Sequence, residues 1–184
     1  MTSKNISQYI DEVINKIWLK DISEDYKNKF LLMEDSLKNA FYYHLRESLS
    51  NRFLLDNNLR IFTEFKHYGK IADLAVVEID REKAEVAHLE NCTNRVLAIV
   101  EFKYKSTISD KDFVKDMNKV FEYTQKDKLS SCRYYLAFIQ EVFNEDSNDY
   151  TWTSLTKERF PKGRVTELTC FLDKPEPKWA IIKW

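Results

Sequence analysis

Ile6, Tyr9, Ile10, Val13, Ile14, Ile17 and Trp18 recur at helical spacing, with Ser3 as a candidate N-cap, so the chain is expected to open with an amphipathic helix. A second helical stripe runs Tyr26, Phe30, Met33, Leu37, Phe41, Leu45 and Leu49 from a start near Ser23, and Asn57-Asn58 breaks it. The period then changes from helical to alternating. Leu59 to Lys66 reads as a strand, Tyr68-Gly69-Lys70 as a turn, and Ile71 to Ile79 as a second, more apolar strand. After a turn at Asp80 to Lys83, Glu85 to Glu90 has the pattern of a short strand and Asn91 to Asn94 that of a loop. Val96 to Tyr104 begins with a continuous apolar run, as a central strand covered on both faces does. Ser109 or Asp110 caps a helix through Phe113, Met117, Val120 and Phe121. Arg133 to Val142 is a further buried strand. Beyond the polar stretch Asn144 to Asp149 lie two shorter strands, Arg164 to Leu172 and Trp179 to Trp184.

This order predicts an α/β fold: a mixed central β-sheet flanked by helices, with an antiparallel meander leading into a strand–helix–strand unit. The 184 residues show no linker and no repeat, so residues 1–184 are expected to form a single domain.

Parity along the strands exposes an anomaly. One row of the second strand carries Ile71, Asp73, Ala75, Val77 and Ile79, and Asp73 is its only charge. One row of the central strand carries Ile99, Glu101, Lys103 and Lys105. On the second helix, Glu34 falls on the stripe of Phe30, Leu37 and Phe41. Burying an unpaired carboxylate costs several kcal/mol. Three such acids invite one cause, and a divalent cation supplies it, because a hard ion takes carboxylate oxygens and offsets their repulsion. The triplet Glu-Phe-Lys occurs twice, at Glu64 to Lys66 and at Glu101 to Lys103. Only the second follows five consecutive apolar residues.

These residues resemble the restriction-endonuclease-like, or PD-(D/E)XK, nuclease superfamily. The resemblance covers about Glu34 to Val142. It rests on Glu34 in LLMEDSLKNAFYYHL, Asp73 in GKIADLAVVEI, and Glu101 with Lys103 in VLAIVEFKYK. The helix Asp112 to Lys126 and the strand Arg133 to Gln140 follow in the family's order. Ala72 stands where the family often has Pro, and the long interval from Asp73 to Glu101 requires an inserted turn or strand. The resemblance implies an αβββαβ core (about residues 23–142) with an extra N-terminal helix and C-terminal strands. It also implies Mg2+-dependent phosphodiester hydrolysis, with Mn2+ as a substitute ion. Asp73 and Glu101 would hold the metal, Glu34 would complete the metal site through a bound water or a second metal, and Lys103 would position the attacking water and stabilise developing charge. DNA is the expected partner, RNA is not excluded, and a homodimer would let two sites cut two strands. The competing reading is a catalytically inactive protein of the same fold that binds nucleic acid or a protein.

Lys105, on the Glu101 row, is a candidate phosphate contact, and His67, beside a turn, a candidate nucleic-acid contact. Glu64 is expected to be an exposed strand residue paired with Lys66 or Lys70, with a place behind the metal-binding acids as the alternative, and Gln140 and Glu141 end a buried strand that could edge the site. Asp116, Lys119 and Tyr123 read as a solvated helix face or dimer contact. His44 reads as a core histidine, and His88 with Cys92 is too small a set for zinc.

Composition narrows the class without deciding it. Basic and acidic residues number 29 and 30, a formal net charge of −1, unlike a strongly basic nucleic-acid binder. Hydrophobic residues make up 43%, with 2 Gly and 3 Pro, which excludes disordered and fibrous classes. Val96 to Val100 is the longest apolar run, far short of the roughly 18 residues that span a membrane. No leader pattern is evident, and Cys92, Cys132 and Cys170 form no pairing framework, so a reduced, cytoplasmic protein with no membrane partner is expected.

Overall fold

The expected long second helix is three helices, and the first of the two breaks shapes the site. In the computed structural model, which describes residues 3–105, 111–127, 131–141, 160–173 and 176–184, helix α1 (Ser3–Lys16) runs through a π-helical segment (Ile17–Ile22) into α2 (Ser23–Lys27). There the chain stops in a Schellman motif. Lys29 is left-handed (φ 64°), its N–H donates to Tyr26 O, and the Phe30 N–H donates to Asp25 O. Phe30 and Met33, placed by periodicity on the buried stripe, are instead 71% and 53% exposed. Helix α3 (Glu34–Leu49) starts afresh, with Ser36 Oγ accepting from the Leu32 and Met33 amides. Its apolar stripe of Leu37, Phe41, Leu45 and Leu49 is buried as expected. Ser50 (φ 59°) ends it and starts α4 (Asn51–Asp56), accepting from the Phe53 N–H.

Six strands follow: β1 (Leu59–His67), β2 (Lys70–Ile79), β3 (Thr93–Lys105), β4 (Arg133–Gln140), β5 (Val165–Asp173) and β6 (Glu176–Lys183). They form one mixed sheet in sequence order. β1, β2 and β3 are successively antiparallel, β3, β4 and β5 parallel, and β6 returns antiparallel to β5. Between β2 and β3 lie a single helical turn, α5 (Arg81–Ala84), capped by Asp80, and a 3-10 turn, Leu89–Asn91. The strand expected at Glu85 to Glu90 does not form. Its amides bond locally, Val86 and Ala87 to Lys83 O, and Val86 is 88% exposed.

Helix α6 (Lys111–Lys126) makes the crossover from β3 to β4. The expected caps Ser109 and Asp110 and the stretch Asn144 to Asp149 lie outside the described residues. The N-terminal helices cover one sheet face through Leu74, Val76, Val100, Phe102, Tyr135 and Ala137. α6 covers the other through Ala75, Val77, Ile99, Leu136 and Phe138. The protein is thus an α/β fold with helices on both faces of a six-stranded mixed sheet, and β3 and β4 are central. Among the described residues, no helix is long and apolar enough to cross a membrane.

Candidate functional site

Two antiparallel neighbours part at the end of the sheet where the anomalous acids lie. β2 and β3 pair from Ile79↔Thr93 to Leu74↔Val100, with register shifts between Glu78 and Ile79 and between Val76 and Val77. Beyond that pair, β2 stays bonded to β1 as far as His67↔Lys70, and β3 stays bonded to β4 as far as Lys105↔Gln140. The result is a fork whose two tines are each braced on the outer side. Asp73 lies on one tine, Glu101 and Lys103 on the other. Asp73 Oδ2 accepts the Phe102 N–H at 2.7 Å, which ties the fork at its base.

Lys103 spans the opening between the two helical layers. Its Nζ donates to Glu34 Oε2 of α3 at 2.9 Å and lies 3.2 Å from Asp116 Oδ2 of α6. Glu34 therefore reaches the site as expected, but from the first turn of a new helix and not from a buried stripe. Glu101 is fully buried, and Lys119 Nζ of α6 lies 2.5 Å from its Oε2. This contact and the Lys103–Asp116 contact are ion pairs by distance, but neither has the alignment of a hydrogen bond. Glu101 Oε1 has no hydrogen-bond partner among the described residues.

Crowding of like charge shows in the titration of these groups. Burial, then the Asp73 charge, push the Glu101 carboxyl well above its ordinary value, against the pull of Lys119. Burial also raises Glu34 and Asp116, against the opposing effect of Lys103. Burial alone would lower Lys103, but the Glu34 hydrogen bond and the Asp116 charge outweigh it and raise it.

The α6 residues are a correction. Asp116, Lys119 and Tyr123, expected on a solvated face or dimer contact, lie instead against the fork, where Asp116 is 7% and Tyr123 1% exposed. The signal was in the sequence. Phe113, Asp116, Met117, Val120 and Tyr123 follow buried-face spacing, and Asp116 interrupts that stripe.

The two expected nucleic-acid contacts are placed differently. Lys105 is 6% exposed, with its ammonium 4.9 Å from the centre of the Phe113 ring, because α6 closes over the end of its row. His67 lies against Tyr68 and Tyr123, with ring centres 4.3 and 5.0 Å away, and burial holds its imidazole below the ordinary value. Lys105 is thus buried and His67 half-buried. Glu64 pairs with Lys38 at 2.6 Å, His44 with Asp25 at 2.8 Å, and Glu141 accepts from Tyr26 and Tyr104. These are structural contacts.

The donor chemistry fits a hard divalent cation: Asp73 and Glu101 offer carboxylate oxygens on one row, and Glu101 Oε1 is buried without a hydrogen-bond partner. The carboxylates converge on two ammonium groups more than on each other. Accordingly, no group of three or more His, Cys, Asp or Glu side chains among the described residues is gathered as a ready cage. Comparison with family models, curated proteins and solved structures finds no match to this chain.

The crowding predicts that function opposes stability here. In EDTA, Glu101→Gln is expected to raise the melting temperature at neutral pH by roughly 2–4 °C, the shift from about 1 kcal/mol in a chain of this length. Because the folded carboxyl keeps its proton to higher pH than the unfolded one, stability falls as pH rises from 4.5 through the raised folded value. The advantage of Gln should therefore shrink towards pH 4.5 and vanish below it. Melting curves across that range check this, and a lower melting temperature at neutral pH would contradict it.

Proposed function

We propose that this chain is a metal-dependent nuclease with a restriction-endonuclease-like core, hydrolysing phosphodiester bonds in DNA. One observation carries the reading: Asp73, Glu101 and Lys103 meet where β2 and β3 part, and Glu34 closes on Lys103 from the opposite layer. The element order α3–α4–β1–β2–α5–β3–α6–β4 supports the reading, because with the short helices α4 and α5 set aside it reduces to the αβββαβ order that the resemblance implies.

Each side chain has a distinct task in this chemistry. Asp73 and Glu101 would hold Mg2+ or Mn2+. The bound ion supplies Lewis-acid polarisation of the phosphate and a more acidic water. Lys103, an ammonium held by two carboxylates, serves as a charge and hydrogen-bond donor beside the phosphate and its incoming water, and not as a base. Glu34 fixes its direction. Water adds to phosphorus and gives up one proton to solvent, one P–O ester bond breaks, and the leaving oxygen takes a proton from solvent.

The test is cleavage of duplex, single-stranded and branched DNA and of RNA, with Mg2+, Mn2+ or EDTA, by wild type and Lys103→Met. Metal-dependent cutting that falls about 10²-fold or more in the variant is expected. Cutting that persists in EDTA, or is untouched by Lys103→Met, would overturn the reading. The rival, a catalytically inactive binding module, draws on the lysines that already neutralise the acids. It would take over if folded protein bound these substrates and cut none of them.

A further inference from the structure

Helix α6 brings into the fork a cation for which the proposed reaction has no use. Lys119 Nζ lies 2.5 Å from Glu101 Oε2, donates to Ile71 O at 3.0 Å, and is 3.8 Å from Asp116 Oδ1. Divalent ions such as Mg2+ sit about 2.0–2.1 Å from carboxylate oxygens. An ammonium this close to Glu101 Oε2 therefore occupies the space and satisfies the charge that such an ion requires. The two cations cannot share that oxygen without strong repulsion in a buried setting. Lys119 also has other partners within reach, because the Ile71 carbonyl already accepts from it and Asp116 lies beside it.

We propose that Lys119 is a tethered counter-ion that competes with the divalent cation for Glu101 and so sets the metal affinity of the site. Entry of the ion requires the ammonium to leave Glu101 for Asp116 and the Ile71 carbonyl. Asp116 is then a positioning residue, which receives Lys119 and steadies Lys103. This inference rests on the metal-dependent reading of the same residues and adds what controls loading of the ion.

Titration of the full chain with Mn2+, followed by the paramagnetic resonance of the free ion, tests it in wild type, Lys119→Met, Lys119→Arg and Asp73→Asn. Lys119→Met is expected to bind Mn2+ about tenfold tighter or more, the scale of one competing charge removed from a buried site. Lys119→Arg, which keeps the charge, should stay near wild type, and Asp73→Asn should bind more weakly. Equal or weaker binding by Lys119→Met, while Asp73→Asn still loses affinity, overturns the counter-ion role alone. No Mn2+ binding by any of the four proteins overturns the metal-dependent reading and this inference together. Should Lys119→Met fail to fold, the wild type carries the test through the 15N resonance of the Lys119 ammonium, assigned by its loss in Lys119→Arg. That signal should shift on titration with Mg2+, and an unmoved signal at saturating Mg2+ would overturn the proposal.

Discussion

Asp73→Asn is expected to lower the cleavage rate by about 10³-fold, the upper range for loss of one preorganised charge-stabilising group, without unfolding the chain. Asn is the informative replacement. Asp73 Oδ2 accepts the Phe102 N–H at 2.7 Å, and an Asn carbonyl can accept the same bond, so the base of the fork stays tied. Ala would remove the acceptor and leave the amide of the buried Phe102 unsatisfied, which mixes a folding defect with a chemical one. What Asn removes is the charge. That charge adds to the upward pressure on the Glu101, Glu34 and Asp116 carboxyls, so removing it relieves repulsion within the cluster. The melting temperature in EDTA should therefore hold or rise while activity disappears. Rate measurements in Mg2+ beside melting curves in EDTA separate the two effects. A variant that cuts at the wild-type rate would remove Asp73 from the site, and one that unfolds would make its role structural.

The sheet was largely legible because its strands bury both faces. The apolar run ahead of Glu101 could only be a central strand, and strand parity then placed Glu101 and Lys103 on one row and Phe102 in the opposite core, where it packs edge-on to Phe41 at 5.1 Å. Glu34 was found for a partly wrong reason. Periodicity carried one helix through Lys29, because the usual stop signal is a glycine and this chain ends α2 with a lysine in the left-handed conformation. The break exposes Phe30 and Met33 and makes Glu34 the first residue of α3, where its charge also favours the helix N-terminus. Lys105 shows the opposite limit. Its row was correct, but how far α6 reaches over that row depends on a tertiary contact with Phe113. The pairing of Lys119 with Glu101 is hidden for the same reason, since parity assigns a face and not the helix that covers it.

Far from the fork, Asp11→Ala is expected to cost about 3 kcal/mol, the low end for breaking a buried ionic contact, and to lower the melting temperature by roughly 6–12 °C. Asp11 of α1 is 4% exposed and serves three partners. Tyr135 of β4 donates its hydroxyl at 2.8 Å, while Arg133 at the start of β4 and Lys183 at the end of β6 approach to 2.9 and 2.8 Å. One carboxylate thus ties the first helix to a central strand and to the last one. The low end of the range applies because the Lys183 side chain is 54% exposed and water screens it. Burial raises the Asp11 carboxyl, but the Lys183 and Tyr135 hydrogen bonds and the Arg133 charge outweigh it and hold it below the ordinary 3.8. A carboxyl depressed on folding stabilises fully above its unfolded value, and the contribution is lost as pH falls through the folded one. The deficit of Asp11→Ala should therefore be constant from neutral pH to just above 3.8 and close below it. The Glu101→Gln effect has the opposite sign, a gain instead of a deficit, and it fades earlier on acidification, because the Glu101 carboxyl is raised and the Asp11 carboxyl lowered on folding. Urea unfolding of both variants over the same pH series sets the two profiles side by side. Because Asp11 touches nothing in the fork, its variant should keep its metal-dependent chemistry wherever it remains folded. A loss of cutting in folded Asp11→Ala would mean that the packing of α1 on β4 governs the geometry of the fork.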